Sequence, residues 1–259
     1  LTSVAGTHPF PSESNAQATA AIVDILTTLT KHDLVITVIS GGGSSLLCLP
    51  NQLACEKVAE ITHTLMNQGA TIHEMNTVRK HLSQIKGGQF AQLAYPARVV
   101  SLLFSDIPGN DLSMIASGPT IKDTTTKEEA GAILQKYDVY KTYGVSEHDV
   151  VETPKEDKYF TQVNNILILS NDIALQAMAK EARKRGYTTT VVDCCLEGEA
   201  RDVGATLVKA ATDKKTCLLY GGETTVKVTN PEGVGGRNQE VLWVHSSLLE
   251  SRNVMIWCV

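Results

Sequence analysis

The chain has 259 residues, 42% of them hydrophobic and 20% charged, with a formal net charge of −5. That length suits a sizeable core in one large or two smaller domains, and the acidic balance argues against a nucleic-acid partner while leaving room for a local basic pocket. No apolar stretch approaches the roughly 20 residues that cross a bilayer and no signal-peptide pattern opens the chain, so the expectation is a cytoplasmic protein with no membrane partner.

Apolar runs alternate with helical patterns, the signature of an α/β fold: a Rossmann-like, mostly parallel sheet flanked by helices. Residues 13–30 read as a helix with Ile22, Ile25, Leu26 and Leu29 on one face. Leu34–Ile39 reads as a buried parallel strand running into Ser40-Gly41-Gly42-Gly43-Ser44-Ser45. Residues 52–68 form a second amphipathic helix, stopped by Gly69. Residues 77–94 look helical but broken at Gly87-Gly88, Val99–Phe104 is a strand, and 127–137 is helical. The polar stretch 144–163 reads as a surface excursion. Then come strand 166–169, helix 171–186, strand 188–192, helix 198–211 and a solvated turn at 213–215. Two strands, 217–220 and 224–228, flank Gly221-Gly222, the best candidate for a domain change. The apolar run 254–259 reads as a buried strand with nothing after it, and the chain begins at Leu1, so both ends read as cut.

Six cysteines, at 48, 55, 194, 195, 217 and 258, include no C-x-x-C pair. All six are expected to be reduced, with Cys194 and Cys195 pointing to opposite faces of a strand.

Polar residues crowd at the ends of several strands, where open α/β sheets bind ligands. Four clusters stand out. In the first, Gly41, Gly42 and Gly43 can take positive φ and admit a ligand close to the backbone, while Ser44 and Ser45 add hydroxyl donors. No lysine follows, so this is not a Walker A loop, and Leu46 stands where a dinucleotide fingerprint needs its third glycine. The loop supports phosphate binding in general; the plainer reading is a tight turn.

In the second cluster, Asn76, Lys80, Ser83 and Lys86 share a helix face, with Arg79 nearby, beside the Gly87-Gly88 break. Cations placed this way neutralise charge in phosphoryl transfer, although a solvated basic face has the same pattern. His81 reads as structural. In the third, Asp106 follows an apolar strand, where it can reach a metal or a substrate hydroxyl, and Asp111 is a second carboxylate. Mg²⁺ is held by one or two carboxylates with phosphate oxygens and water, whereas a helix- or turn-capping aspartate needs no metal. In the fourth, Gly222, Glu223 and Thr224 precede Gly236, Arg237 and Asn238, which would open a helix. Arginine there offers a rigid fork to phosphate, or a surface ion pair.

The motifs His8-Pro9-Phe10-Pro11, 39–47, 76–88, 115–120, 221–226 and 236–240 together resemble the glycerate 2-kinases of the MOFRL family, in the expected order over nearly the whole chain. The resemblance implies ATP-dependent phosphorylation of D-glycerate to 2-phosphoglycerate, with Mg²⁺ as helper ion. It implies a DUF4147-type N-terminal domain over 1–212 and the start of a second, incomplete α/β domain, the MOFRL domain, over 213–259. The active site is expected in a cleft between them, with Arg237, Lys86 and Asp106 catalytic. Gly41–Ser45, Asn76, Arg79, Lys80, Gly222, Glu223, Thr224, Gly236 and Asn238 would hold the nucleotide and its phosphates, and Asp106 and Asp111 the metal. A homodimer is compatible with it. The resemblance also implies residues upstream of Leu1, including a catalytic lysine, and a continuation past Val259. Asn110 stands where the family usually has aspartate beside Asp111. Two alternatives stay open. One is an NAD(P)H-linked hydroxypyruvate reductase, an older label in the family. The other is a non-catalytic nucleotide-binding fragment.

Overall fold

The structure, a computed structural model, describes residues 2–210, 215–228 and 235–243. It divides into two compact units, Leu1–Leu169 and Ser170–Val259. The expected boundary at 212/213 falls inside the second of these. The physical reason is that strands on either side of that point pair with each other.

The first unit holds a parallel three-stranded sheet in the order β1 (Leu34–Ile39), β2 (Arg98–Phe104), β3 (Val163–Leu169). Helices α1 (Glu13–Leu26) and α5 (Gln89–Ala94) supply Leu26, Phe90 and Ala94, which pack with Val99 of β2 and with Ile85. A second core joins α3 (Cys55–Asn67), α4 (Ile72–His81) and α6 (Lys127–Lys136) through Ile61, Leu65, Val78, Leu82 and Leu134. The four-residue α2 (Gly43–Leu46) and α7 (Val139–Tyr143) complete the helices of this unit.

Three expectations change here. Strand β1 is not buried on both sides: among the described residues it pairs only with β2, and Leu34, Ile36 and Val38 are 52%, 62% and 68% exposed. A continuous apolar run does not say which of its faces will be covered. Residues 144–163 are not merely a surface excursion, because Val145 and Val150 enter the core and Asp149 and Thr153 are buried. The cysteines are not all reduced. Cys48 and Cys55 are joined by a disulfide across a tight loop, with Cα atoms 6.0 Å apart and both residues buried.

The second unit holds α8 (Asn171–Lys184), β4 (Thr188–Leu196), α9 (Ala200–Ala210), β5 (Thr216–Gly222) and α10 (Arg237–Trp243). Strands β4 and β5 are parallel, and Leu175 and Ala179 of α8 pack on Leu219 of β5. Strand β5 runs through Gly221-Gly222 instead of stopping before it. The expected strand 224–228 is absent, with Thr225 making only an isolated bridge to Glu199. Cys194 and Cys195 do not point apart, their sulfurs being 3.7 Å from each other. The β4–β5 register shifts between Asp193 and Leu196, which breaks strict alternation. The expected strand at 254–259, residues 213–214 and Cys258 lie outside the described residues.

Candidate functional site

Three of the four sequence clusters meet in the first unit. At the end of β1, Gly42 takes a left-handed φ of 79° and opens α2. Contacts matter here beside torsions. A Cβ on Gly43 would lie 2.6 Å from the Cβ of Ala116, whereas one on Gly41 would only push aside the exposed Asp106 carboxylate. The His8 ring sits over Gly42, 3.2 Å from where a Cβ would be. The loop amides are partly used internally, since Gly43 N–H donates to Ser40 O and Ser45 N–H to Gly42 O. This leaves less of the backbone nest than the sequence implied.

Segment 115–118 braces this loop. Ala116, Ser117 and Gly118 all have positive φ, 50°, 60° and 61°, a costly run for two non-glycine residues. Gly87 N–H and Gly88 N–H donate to the Ser117 and Gly118 carbonyls and hold it in place. The buried Ser117 hydroxyl lies 3.0 Å from the Ser44 hydroxyl and donates to Asn76 Oδ1, also at 3.0 Å. Asn76 thus acts through its neighbours, and its amide turns to Met114 Sδ.

The cations behave differently from one another. Lys80 turns away from the loop into a buried ion pair with Asp123, 3.0 Å long. Burial alone would raise the Asp123 carboxyl, but the Thr125 hydroxyl and the Lys80 charge hold it below its ordinary value. Lys80 is therefore a core charge with its partner already chosen, and it leaves the set of phosphate-facing groups. His81 is fully buried beside it and bonded through Nδ1 to the Thr77 carbonyl. Lys86 is buried too, but its Nζ meets only the Leu47 carbonyl, and no carboxylate pairs with it or with Arg79 among the described residues. Burial, with the neighbouring Arg79 charge adding to it, pushes the Lys86 ammonium down to about 7. Burial also lowers Arg79.

Lys86 and Arg79 line one pocket of about 400 Å³ together with His8, Gly42, Ser44, Ser45 and Ser83. Two basic side chains on one cavity wall, with no carboxylate beside them among the described residues, give that cavity a positive potential whenever both are protonated. Asp106 lies exposed beside the Gly loop, on its Gly41 side. Asp111 is exposed and accepts from the Ser113 backbone N–H at 2.9 Å, which is the capping role a turn aspartate takes. Sequence reasoning did not single out His8 or Ser117 as site members. The signal was present in the His8–Pro11 and 115–120 motifs, but only the fold shows that both press on the glycine loop.

The fourth cluster assembles in the second unit. Arg237 Nη1 lies 2.6 Å from Glu223 Oε1 and donates to the Thr224 carbonyl at 3.2 Å. Gly222 has φ 150°, and a Cβ there would strike the Leu196 carbonyl. Thr224 is buried and its hydroxyl finds no partner among the described residues. Gly236 opens α10, its carbonyl accepting from Glu240 N–H at 3.0 Å, and Asn238 is exposed in the first turn. The Arg237–Glu223 pair is half to two-thirds exposed, so the arginine can exchange that partner at small cost.

The family model described as "Domain of unknown function (DUF4147)" matches residues 1–152. The chain belongs to the DUF4147 family. It is 39% identical over 253 residues to the glycerate 2-kinase of Pyrococcus horikoshii, covering 90% of this chain and 57% of that protein. It is 41% identical over 248 residues to an Agrobacterium vitis protein named putative hydroxypyruvate reductase, covering 91% of this chain and 56% of that one. The crystal structure of the glycerate kinase from Thermotoga maritima superposes with a TM-score of 0.83 at 35% identity, over 94% of this chain and 60% of that one. The expected kinship with glycerate 2-kinases and the α/β fold class are thereby borne out. The chain spans less than two-thirds of the length of each of these relatives.

Proposed function

We propose that the protein transfers the γ-phosphoryl group of ATP to D-glycerate, giving 2-phosphoglycerate and ADP. The observation that carries this reading beyond kinship is the Arg79–Lys86 pair, two unneutralised cations beside the Ser44 and Ser45 hydroxyls. Phosphoryl transfer asks a protein mainly for positioning and for fixed positive charge on the transferring group. In this scheme the C2 hydroxyl oxygen of glycerate forms the new bond to phosphorus as the bond to the ADP oxygen breaks, and the hydroxyl proton passes to solvent. Arg79 and Lys86 carry phosphate charge from the first unit. Arg237 adds transition-state charge, with Gly222, Thr224, Gly236 and Asn238 shaping the backbone around it.

Asp106, an exposed carboxylate beside the glycine loop, would hold Mg²⁺ together with phosphate oxygens. No group of three or more His, Cys, Asp or Glu that could hold a metal occurs among the described residues. When bound, Mg²⁺ neutralises phosphate charge. Asp111, engaged with Ser113, is left outside that shell. No described helix is long and apolar enough to cross a membrane. A cytoplasmic location and a homodimer belong to the proposed reading.

The test is the full-length protein with ATP, Mg²⁺ and D-glycerate. ADP is expected to form, with 2-phosphoglycerate identified by phosphorus NMR, and no ADP would reject the reading. The Agrobacterium vitis name calls for a parallel nicotinamide absorbance assay with hydroxypyruvate. Leu46, standing at the third glycine position of the fingerprint, favours a negative result there. Nucleotide binding without turnover by the 259 residues alone would mark them as a non-catalytic portion.

A further inference from the structure

Neither Cys194 nor Cys195 has a role in the proposed phosphotransfer, yet the fold brings their thiols together. Regular pleating sends neighbouring side chains of a strand to opposite faces. Here Asp193 pairs with Tyr220 and Leu196 with Gly222, so Cys194 and Cys195 together stand opposite the single Gly221. Two residues against one is the arrangement of a β-bulge, which re-aims the side chains it carries. The two sulfurs lie 3.7 Å apart, and both residues are half-buried, within reach of a small molecule. Side chains hold the backbone of the pair: Cys195 N–H donates to Asp193 Oδ1 at 2.8 Å, and the Cys194 carbonyl accepts from Asn171 Nδ2 at 2.9 Å. Side-chain partners can follow a local change in torsion, so the strand can pucker here while the β4–β5 pairs on either side persist.

We propose that Cys194 and Cys195 are a reversible thiol-modification site, closed to a disulfide by a low-molecular-weight disulfide of the glutathione type. Cys195 is the sulfur that attacks first. Its hydrogen bond to Cys194, with the Asp172 carboxylate adding to it, pushes the Cys194 thiol up and keeps it protonated. The Cys195 thiolate attacks one sulfur of the small disulfide and displaces one thiolate, leaving a mixed disulfide. Cys194 then gives its proton to solvent and attacks the Cys195 sulfur, displacing the second thiolate. Two electrons pass from the protein to the small disulfide, which is reduced to two thiols. Adjacent Cα atoms are about 3.8 Å apart, closer than the roughly 4.4 Å at which ordinary disulfides begin. The ring is therefore strained and reopens readily, as labile regulatory disulfides do.

The test is to treat the full-length protein with glutathione disulfide, alkylate the remaining thiols and weigh the tryptic peptides. Peptide 186–201, bounded by Arg185 and Arg201, holds both cysteines and no other. It is expected to escape alkylation and to be lighter than its reduced form by two hydrogens. Dithiothreitol should restore its thiols before it opens the buried Cys48–Cys55 bond. Cys194→Ser should stop the reaction with one glutathione on Cys195, and Cys195→Ser should leave Cys194 free; the reverse pattern overturns the order of attack. Two free thiols, a lasting glutathione adduct on the parent peptide, or a link from Cys194 to Cys217 would each overturn the proposal.

Discussion

At the scale of single residues, Lys86 has the clearest consequences. Its ammonium is depressed to about 7 in the folded chain, from an ordinary value of 10.5. Below pH 7 the lysine is charged in both states, and the folded state bears the full cost of burying that charge. Between about pH 7 and 10.5 the unfolded chain binds the proton and the folded chain does not, so stability rises with pH. The contribution approaches ~1.4 kcal/mol per pH unit at its steepest. Lys86→Met should abolish this rise, measured as the difference between variant and parent in urea unfolding at pH 7 and pH 9. A parallel pair of pH profiles would show that Lys86 is not the group responsible. The same shift couples to ligands: an anion in the pocket favours the charged lysine, so its binding should tighten as pH falls through 7.

The sequence separated these cations only in part. Lys80, Arg79 and Lys86 all stood out as positive charges near a Gly-Gly break, and nothing local distinguished them. Asp123, far along the chain, claims Lys80, and that pairing exists only once α4 packs near the segment before α6. Burial without a partner, which makes Lys86 and Arg79 interesting, is likewise a property of the folded surroundings.

At the scale of elements, α4 shows which signals were readable. The apolar spacing of Val78, Leu82 and Ile85 suggested a helix from 77, but the helix begins at Ile72 and ends at His81. The better signal was Thr71-x-x-Glu74, a capping box. In the structure Thr71 Oγ1 accepts from Glu74 N–H at 3.2 Å, and Glu74 accepts from Thr71 N–H at 2.8 Å. Glu74 also reaches Lys136 of α6 at 2.6 Å, tying the two helices together. Because α4 carries Asn76 and Arg79, its N-terminus sets the position of the proposed site. Thr71→Ala should cost about 1 kcal/mol. For a unit of this size that is a fall of about 2–4 °C in the melting midpoint, read by calorimetry. An unchanged midpoint would mean that packing against α6 alone fixes the helix. The break after α4 was legible for a sound reason: Gly87 and Gly88 take φ of 59° and 85°, which other residues rarely adopt. Strand β1 was misread for an equally physical one, since hydrophobicity drives burial only where a covering layer exists.

At the scale of the whole molecule, each compact unit carries its own set of charged groups. Each set is internally organised, Arg79 and Lys86 around the glycine loop and Arg237 against Glu223 and the Thr224 carbonyl. Their cooperation can be measured without reference to coordinates. Arg237→Ala in the full-length protein should lower kcat by about a hundredfold, the usual effect of removing one preorganised charge, with unfolding unchanged because the side chain is half exposed. A change below about twofold would remove Arg237 from the mechanism. Arg79→Ala should also slow turnover, and the double variant decides whether the two act together. Residues with no shared partner combine additively to within about 0.5 kcal/mol, whereas residues on the same phosphates couple by more. A kcat/KM loss in the double variant clearly smaller than the product of the single losses would place both guanidinium groups on one transition state. Strict additivity would assign them to separate tasks.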